Sequence, residues 1–314
     1  MKIVFFGTSA FAAQILRSII NSTNHTILAV VTRPDRVKGR LLQLSFPPVK
    51  AGLVEMQSTI DIHQPEKAST EDFAEILKSY KADLFVVVAY GEIIKKFILD
   101  IPRLGCINIH ASLLPKFRGA APIQRCLMAG EKETGITIID MVSQMDAGDM
   151  LAKAAIPIPE EMNFGELEEK LRNLSCELIG KVLQDFTDNK IARIPQDHTK
   201  ATFANKILAE DEEIVWSRSA EEIHNLIRAL SPFPGAWCKV LFGKEWKRLK
   251  IKKSLVEKQL TGNPGHILQF DKKNLVIACG SSSLRILEVQ LEGKKTMPVE
   301  EFLKGAPSTL KFSE

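Results

Sequence analysis

The sequence has few of the features that mark secreted, membrane-spanning or metal-binding proteins. It contains five cysteines in 314 residues, an odd number, and none of them forms a C-x-x-C pair. Disulfide frameworks and structural zinc sites need paired cysteines, so we expect reduced thiols and no metal. The longest strongly apolar run, at 84–90, is far shorter than the roughly 18 residues that cross a bilayer. These absences predict a cytoplasmic protein without a membrane span.

An excess of one charge is also missing from the chain as a whole. The 42 Lys and Arg residues face 38 Asp and Glu residues, which gives a formal net charge of +4. This average conceals a local excess, because the segment 239–273 holds 10 basic and 3 acidic residues. A basic patch of this kind suits a polyanion. With 45% hydrophobic residues the chain can bury a sizeable core, and its length predicts two domains.

The first 189 residues predict an α/β domain. The apolar run at 3–6 ends at Gly7-Thr8-Ser9 and is followed by helical spacing, which indicates a strand, a tight turn and a helix rather than a signal peptide. Further strands are predicted at 26–32, 59–62, 83–89, 105–110 and 134–142, and helices at 48–56, 71–79, 122–129 and 164–188. The three valines at 86–88 indicate a strand that is buried on both faces, as in a parallel sheet covered by helices. We therefore predict a doubly wound, Rossmann-like fold.

The polar segment 190–206, which contains Pro195, predicts a linker to a second domain at 207–314. This domain opens with a helical pattern at 220–230, which ends at Ser231-Pro232-Phe233-Pro234-Gly235. Short alternating stretches follow at 236–241, 248–251, 265–268, 275–278 and 284–289. Short strands separated by glycine predict a small antiparallel barrel or sandwich.

The turn after the first strand bears on the choice of cofactor. A dinucleotide-binding fold carries G-x-G-x-x-G at this position, and here only Gly7 of the three glycines is present. The missing glycines are those that let a pyrophosphate approach the end of the helix. A nicotinamide oxidoreductase is therefore disfavoured, and we expect no NAD.

The most informative segment lies at 108–122, at the end of a predicted strand. Residues two apart on a strand point to the same side, so Asn108 and His110 pair an amide donor with a titratable imidazole. Asp146 lies in the sequence Asp-Ala-Gly-Asp after the next strand, and it can reach the same edge if the two strands are neighbours. From these residues alone, a buried structural histidine beside an ordinary loop stays an open alternative.

This segment resembles the folate-dependent formyltransferase family. The signature of that family is an Asn-x-His pair, then Ser-Leu-Leu-Pro, a glycine and a later Asp-x-Gly-Asp loop. The sequence supplies each element in order, as Asn108, His110, the run 112–115, Gly119 and the loop 146–149. The resemblance covers essentially the whole chain, with matching segments at 6–8, 33–36, 86–91, 105–125, 133–135, 227–229 with the prolines at 232 and 234, and 293–295. It is strongest to the members that act on an aminoacylated tRNA.

The resemblance implies transfer of the formyl group of 10-formyltetrahydrofolate, a cosubstrate, to the amine of methionine on initiator methionyl-tRNA. It implies that Asn108 and His110 stabilise the developing oxyanion, and that Asp146 holds His110 and helps to move protons. It also implies a folate site lined by Ser112, Leu113, Leu114 and Pro115. We expect no metal in this chemistry and a monomeric protein.

The resemblance further implies that the second domain is an OB-like barrel that helps to hold tRNA. Contacts are then expected from the lysine-rich stretch, through Lys247, Arg248, Lys250 and Lys252. A second set is expected from the loop 32–44, through Arg33, Arg36, Lys38 and Arg40. Many relatives continue this loop with glycine and two lysines. Here 41–44 is Leu-Leu-Gln-Leu, which leaves the loop fewer phosphate contacts and favours apolar packing against a terminal base.

Two other interpretations stay open. A folate-dependent formyltransferase for glycinamide ribonucleotide or an amino sugar shares Asn108, His110 and Asp146, but such a small substrate needs neither the arginine loop nor a basic second domain. A non-catalytic RNA-binding protein with a degenerate α/β domain accounts for the basic patch. It does not account for three intact catalytic positions.

Overall fold

The computed structural model describes residues 1–38 and 43–313, and the protein divides into two compact units. The first unit comprises Met1–Gly119, Gly135–Ile156 and Glu168–Phe203. The second comprises Ala120–Thr134, Pro157–Leu167 and Ala204–Glu314. Most of the segment 190–206, which the sequence predicts as a linker between domains 1–189 and 207–314, thus lies within the first unit.

A seven-stranded sheet forms the centre of the first unit, and two further strands form a separate short hairpin. Their nine strands are β1 (Lys2–Gly7), β2 (Thr26–Val31), β3 (Arg36–Lys38), β4 (Gln43–Ser45), β5 (Asp61–His63), β6 (Leu84–Val88), β7 (Cys106–His110), β8 (Glu133–Asp140) and β9 (Met150–Pro157). The sheet has the order β5-β2-β1-β6-β7-β8-β9. The strands from β5 to β7 pair in parallel, and β8 pairs with β7 in the antiparallel direction.

Helices alternate with these strands, as the sequence predicts. They are α1 (Ala10–Ser22), α2 (Pro48–Glu55), α3 (Glu71–Ser79), α4 (Lys96–Leu99), α5 (Pro122–Met128) and α6 (Phe164–Thr187). Polar side chains cap α1, α3 and α6, since the backbone N–H groups of Ala12, Phe73 and Glu166 donate to the side chains of Ser9, Thr70 and Asn163. The predicted α/β class is confirmed, and so is the burial of β6, all five residues of which are buried.

The sequence patterns miss three short or exposed elements of the first unit: β9, α4 and the β3–β4 hairpin. Strand β9 lies at the edge of the sheet, and its residues are exposed or half-buried along its length. An edge strand needs no continuous apolar run, so its sequence, Met-Leu-Ala-Lys-Ala-Ala-Ile-Pro, carries little strand signal.

The second unit contains an antiparallel, nearly closed barrel. Its elements are α7 (Ala220–Ala229), β10 (Ala236–Phe242), β11 (Glu245–Glu257), β12 (Ile267–Phe270), β13 (Leu275–Ala278), β14 (Ser283–Leu291), β15 (Met297–Pro298), α8 (Val299–Gly305) and β16 (Lys311–Phe312). The strand order is β12-β13-β14-β11-β10-β16, and β15 pairs with β14. The barrel prediction is thus confirmed. Helix α7 begins with a capping box, in which the side chains and backbone N–H groups of Ser219 and Glu222 satisfy each other.

Strand β11 is much longer than the predicted strand at 248–251. It pairs with β10 through its first half and with β14 along most of its length, and irregular register between Ile251 and Ser254 lets it bend. Lysines at 247, 250, 252 and 253 interrupt the hydrophobic alternation of β11, so the sequence pattern does not reveal its full length.

Within residues 1–38 and 43–313, no helix combines the length and the hydrophobicity that a membrane crossing requires.

A close backbone approach explains one glycine of the sheet and provides a test of the fold. A Cβ atom on Gly135 would lie 1.9 Å from the carbonyl oxygen of Ala154 and 2.6 Å from a methyl group of Leu113. We expect Gly135→Ala to lower the free energy of unfolding by about 1–3 kcal/mol or more, because the backbone of β9 must move away. Urea unfolding followed by circular dichroism measures this change.

Gly180→Ala is the matched control, since Gly180 lies within α6 and a Cβ atom there meets nothing within 4 Å. This variant should raise the free energy of unfolding by about 0.5–1 kcal/mol, because alanine loses less backbone entropy in a helix. Equal effects of the two substitutions would contradict the packing of β8 against β9.

Candidate active site

Asn108, His110 and Asp146 meet beside the carboxyl half of β7. The side-chain nitrogen Nδ2 of Asn108 donates to Oδ1 of Asp146 at 3.3 Å, and Nδ1 of His110 lies 3.5 Å from Oδ2 of Asp146. Because β8 runs antiparallel to β7, its end does not bring Asp146 to this place. The loop 141–149 between β8 and β9 does so by folding back along β7.

The carboxylate of Asp146 is held by two donors. Besides Asn108, the backbone N–H of Gly119 donates to Oδ2 at 2.8 Å. The side chain of Asp146 is 12% exposed, and its backbone has a φ of 51°, in the left-handed region that few residues other than glycine adopt. A charged side chain that is nearly buried, fully oriented and mounted on a strained backbone is typical of a functional position.

The imidazole of His110 is fixed as firmly as the carboxylate. Its side chain is 6% exposed, and Nε2 lies 2.8 Å from the carbonyl oxygen of Phe117. A carbonyl only accepts hydrogen bonds, so Nε2 carries a hydrogen and donates it. A second hydrogen on Nδ1 makes the ring an imidazolium, and the carboxylate of Asp146 faces that nitrogen. The imidazole and the carboxylate are therefore held face to face by the fold, 3.5 Å apart.

Of these three residues, Asn108 is the one whose side chain can still donate a hydrogen bond to a ligand. It is half-buried, and one hydrogen of its amide is directed at Asp146. Among the residues that the structure describes, the other amide hydrogen has no partner. It can thus be donated to the oxygen of a substrate, as an oxyanion site requires.

The run 112–115 forms a fixed wall next to these residues. The hydroxyl of Ser112 donates to the carbonyl of Lys116 at 2.6 Å, and Ser112 and Leu114 have no exposed surface. Leu113 and Pro115 are partly exposed. Since the hydroxyl hydrogen of Ser112 is already used, this residue shapes the loop rather than offering a donor to a ligand.

Thr137 and Lys153 support this wall from β8 and β9. The hydroxyl of Thr137 donates to the carbonyl of Ser112 at 2.7 Å and accepts from the N–H of Leu114 at 3.1 Å. The ammonium of Lys153 donates to the carbonyl of Leu114 at 2.9 Å. The loop is thereby fixed before any ligand arrives, which lowers the entropy that binding must cost.

The loop 146–149 is anchored to β8 by close backbone contacts. The N–H of Asp140 donates to the carbonyl of Asp149 at 2.9 Å, and a Cβ atom on Gly148 would lie 1.8 Å from the carbonyl oxygen of Asp140. Burial raises the pKa of the Asp140 carboxyl, and the hydrogen bond from Arg193 opposes that shift. Only glycine allows this approach at position 148, which explains the glycine of the Asp-Ala-Gly-Asp sequence.

Sequence reasoning did not identify two residues that hold the site, Gln196 and Arg118. The side-chain amide of Gln196 donates to the backbone carbonyls of Asp146 and Gly148, and the buried guanidinium of Arg118 donates to Gln196. A glutamine in a polar stretch gives no pattern that could have revealed it. Arg118 lies within the segment 108–122, and this position is the one feature of the sequence that points to a role for it in the site.

The arginines expected to contact RNA in the loop 32–44 have different surroundings. Arg33 is held in the fold, since it donates to a carboxylate oxygen of Glu92 at 2.7 Å and to the carbonyl of Glu66 at 3.1 Å. Arg36 is exposed and pairs with the exposed carboxylate of Glu66 at 2.9 Å. Lys38 ends β3, but its side chain and the whole of Arg40 lie outside the described residues.

The base of the β3–β4 hairpin is fixed by a compact polar cluster. The ammonium of Lys50 donates to Asp35 at 2.6 Å and to Gln64 at 2.7 Å, and the amide of Gln64 donates to Asp35 and to the carbonyl of Arg33. The hydrogen bonds from Gln64 and Lys50 hold the pKa of Asp35 below its usual range. The hairpin therefore leaves the sheet from a rigid base.

The basic residues expected to contact RNA in the second unit also fall into two groups. The guanidinium of Arg248 lies 4.0 Å from the ring centre of Trp237, and Lys247 pairs with Glu245 at 3.4 Å. These groups border a groove of about 630 Å³ on the surface of the barrel. Its lining comprises Trp237, Lys239, Trp246, Lys247, Arg248, Glu292 and Ser313. Trp246 is 54% exposed, so the groove combines positive charge with an accessible aromatic face.

Lys250 and Lys252 serve the fold instead. Their ammonium groups donate to the carbonyls of Pro234 at 2.7 Å and Pro232 at 2.8 Å, in the turn that follows α7. Lys252 is buried, and burial together with the charge of Lys250 lowers its pKa. The expectation that Lys252 offers its charge to RNA does not fit this geometry, because its hydrogen bond and its burial keep it from the surface.

Comparison with known proteins gives matches in both units. The family described as "Formyl transferase" matches residues 1–183, and "Formyl transferase, C-terminal domain" matches residues 206–307. The chain is 48% identical over 314 residues to the Methionyl-tRNA formyltransferase of Protochlamydia amoebophila, a match that covers 99% of this chain and 98% of that protein. It is 43% identical to the protein of the same name from Staphylococcus epidermidis RP62A, with 98% and 97% covered.

Solved structures share the fold at much lower identity. The N-formyltransferase of Helicobacter canadensis, in complex with folinic acid and dTDP-3-aminofucose, superimposes with a TM-score of 0.66 at 18% identity. The match covers 91% of this chain and 98% of that chain.

Proposed function

This chain belongs to the formyl transferase family, and we propose that it transfers the formyl group of 10-formyltetrahydrofolate to the amine of methionine on initiator methionyl-tRNA. The product is N-formylmethionyl-tRNA, with which translation begins. One observation carries the proposal: the 48% identity to a Methionyl-tRNA formyltransferase extends over both units of the chain. The reaction belongs to the cytoplasm, and we propose that the protein acts there as a monomer.

The reaction needs an oxyanion site and a path for protons, and the site offers both. The methionine nitrogen attacks the formyl carbon, and the electron pair of the C=O bond moves to the oxygen. The free amide hydrogen of Asn108 is the donor for that oxygen. Since Nε2 of His110 is used by Phe117, the Nδ1 side of the ring, which faces the carboxylate of Asp146, is the side left to act in the reaction. One well-placed oxyanion donor contributes about 3–4 kcal/mol.

Collapse of the intermediate breaks the bond between the formyl carbon and the folate nitrogen. The attacking amine must lose a proton, and the leaving nitrogen of tetrahydrofolate must gain one. We assign this transfer to His110 and Asp146 together, because Nδ1 of the imidazole and Oδ2 of the carboxylate face each other at 3.5 Å. Asn108 and Gly119 keep the carboxylate directed at the imidazole throughout.

The wall at 112–115 is proposed to line the folate site. Leu113 and Pro115 offer the apolar surface that a pterin ring needs, while Ser112 and Leu114 hold the backbone in place. Pockets for ligands of this size combine such apolar walls with a few fixed polar groups. The support from Thr137 and Lys153 keeps this wall rigid.

The acceptor RNA is proposed to contact two basic surfaces. One is the β3–β4 hairpin, through Arg36, Lys38 and Arg40, with Arg33 and the cluster around Asp35 as its anchor. The other is the groove on the barrel, where Lys247 and Arg248 suit phosphates and Trp246 suits a base. Lys250 and Lys252 donate to the carbonyls of the turn after α7 instead, and they are left out of this proposed surface.

An acceptor assay tests the function directly. Labelled 10-formyltetrahydrofolate is offered with charged initiator tRNA, charged elongator tRNA or glycinamide ribonucleotide in parallel reactions. We expect formylation of charged initiator tRNA and none of the ribonucleotide. Transfer to glycinamide ribonucleotide alone would overturn the proposal in favour of a small-molecule formyltransferase.

Substitutions at the active site test the assigned roles. His110→Ala and Asp146→Ala should lower the single-turnover rate by about a hundredfold or more while the fold remains intact, because they remove oxyanion stabilisation and proton transfer. Circular dichroism and thermal unfolding monitor the fold. Asp188→Ala, which removes an exposed carboxylate after the end of α6, is the control and should keep the normal rate. A normal rate in either active-site variant would refute the assignment.

Binding of tRNA across a salt series tests the groove. Lys247→Ala and Arg248→Ala should weaken binding and reduce the slope of log K against log salt by about 1 for each phosphate that the variant no longer neutralises. Trp246→Ala should weaken binding with little change in slope, since stacking releases no counterions. Lys272→Ala, in the turn between β12 and β13, is a matched control outside the groove. If it weakens binding as much as Lys247→Ala does, the attraction is diffuse and the groove is not a site.

A further inference from the structure

The polar segment 190–203 is part of the active-site framework. It runs along the two loops that carry the catalytic groups, and it pairs with each of them. Ile194 and Met150 exchange backbone hydrogen bonds at 2.8 and 2.9 Å, which places the segment beside the loop 146–149. The carbonyl of Thr202 accepts from the N–H of Arg118 at 2.8 Å, and its hydroxyl accepts from the N–H of Phe117 at 2.9 Å.

Gln196 lies between these two sets of contacts and points at the turn that contains Asp146. Its Nε2 donates to the carbonyl of Asp146 at 2.8 Å and to the carbonyl of Gly148 at 2.7 Å. Both hydrogens of one amide group are thus used on the same turn. The turn needs such support, because the backbone of Asp146 has a φ of 51° and does not hold this conformation by itself.

Arg118 holds Gln196 in turn. Arg118 is 2% exposed, and its guanidinium donates to Oε1 of Gln196 through Nε at 3.2 Å and through a terminal nitrogen at 2.7 Å. The same terminal nitrogen lies 3.0 Å from Nδ1 of His198. A buried positive charge demands hydrogen bonds, so it fixes the orientation of the Gln196 amide and directs its Nε2 at the turn.

These contacts close a ring around Asp146. The N–H of Gly119, the residue after Arg118, donates to the carboxylate of Asp146, while Gln196 donates to its backbone carbonyl. Gly119 therefore holds the side chain of Asp146, and Gln196 holds its backbone. Gln196 is itself held by Arg118, the residue before Gly119. A shift of Gln196 releases the backbone of Asp146 while its carboxylate stays bound to Gly119, which rotates the carboxylate relative to His110.

We propose that Gln196 is a positioning residue for the reaction, which sets the carboxylate of Asp146 against His110 by fixing the turn 146–148. This inference rests on the proposed function, since it takes Asp146 to act in formyl transfer. It does not make Gln196 catalytic, because its amide is buried and fully bonded within the protein. Displacement of a catalytic group by about 1 Å can lower a rate by about a hundredfold.

Gln196→Glu and Gln196→Met test the proposal together. The glutamate keeps an acceptor for Arg118 but has no hydrogens for the carbonyls of Asp146 and Gly148, so the buried arginine stays satisfied while the turn is released. The methionine removes both interactions. We expect both variants to lower kcat for methionyl-tRNA by about tenfold to a hundredfold and to alter the pH profile of kcat. The KM values for both substrates should stay within about twofold of those of the unaltered protein.

Gln290→Glu is the matched control. The amide of Gln290 donates to a single backbone carbonyl, that of Lys294, at 3.0 Å on the surface of the barrel, so this change should leave kcat and its pH profile unaltered. A normal kcat in folded Gln196→Glu would overturn the proposal. Loss of the fold in both Gln196 variants would also overturn it, since the amide would then serve the fold and not the position of Asp146. Absence of formylation by the unaltered protein would instead refute the proposed function.

Discussion

The carboxylate of Asp146 is the point on which the rest of the site depends. It meets the amide of Asn108 and the imidazole of His110 from β7 and the backbone N–H of Gly119 from the loop that follows β7, while Asp146 itself lies in the loop after β8. A nearly buried carboxylate is costly unless every acceptor direction is used. The three segments are therefore fixed relative to one another by the same hydrogen bonds that orient the side chains of Asn108, His110 and Asp146.

The requirement to satisfy buried polar groups extends outward from that carboxylate. His110 uses the carbonyl of Phe117, and Phe117 and Arg118 use Thr202. The backbone N–H groups of Phe117 and Arg118 would be left without partners if the segment 190–203 moved away, and an unsatisfied buried donor costs about 1–3 kcal/mol. This segment is consequently ordered despite its polar composition, because its backbone and side chains complete the hydrogen bonds of the loops that follow β7 and β8.

The sequence predicts those features that depend on local patterns. The alternation of strands and helices, the burial of β6 and the shared side of Asn108 and His110 follow from periodicity, and the fold confirms the first two. Features set by tertiary contacts were not predictable in this way. The segment 190–203 is polar because it binds loops rather than a core, and β9 is an edge strand with little hydrophobic alternation. The antiparallel direction of β8, which makes the loop 141–149 carry Asp146, has no signature in composition at all.

The basic stretch 239–273 shows why a count of charges overstates affinity for RNA. Lys239 on β10 lies opposite Arg248 on β11 in the strand register, and both residues border the groove that contains Trp246. Lys250 and Lys252 belong to the same run of sequence, yet they donate to the carbonyls of the turn after α7, and Lys252 is buried. A lysine that is bonded within the protein releases no counterion when RNA binds, so it adds nothing to the salt dependence of binding. The polyanion signal in this sequence therefore resides in a few groups around an aromatic surface, and the charges of Lys250 and Lys252 are used within the protein.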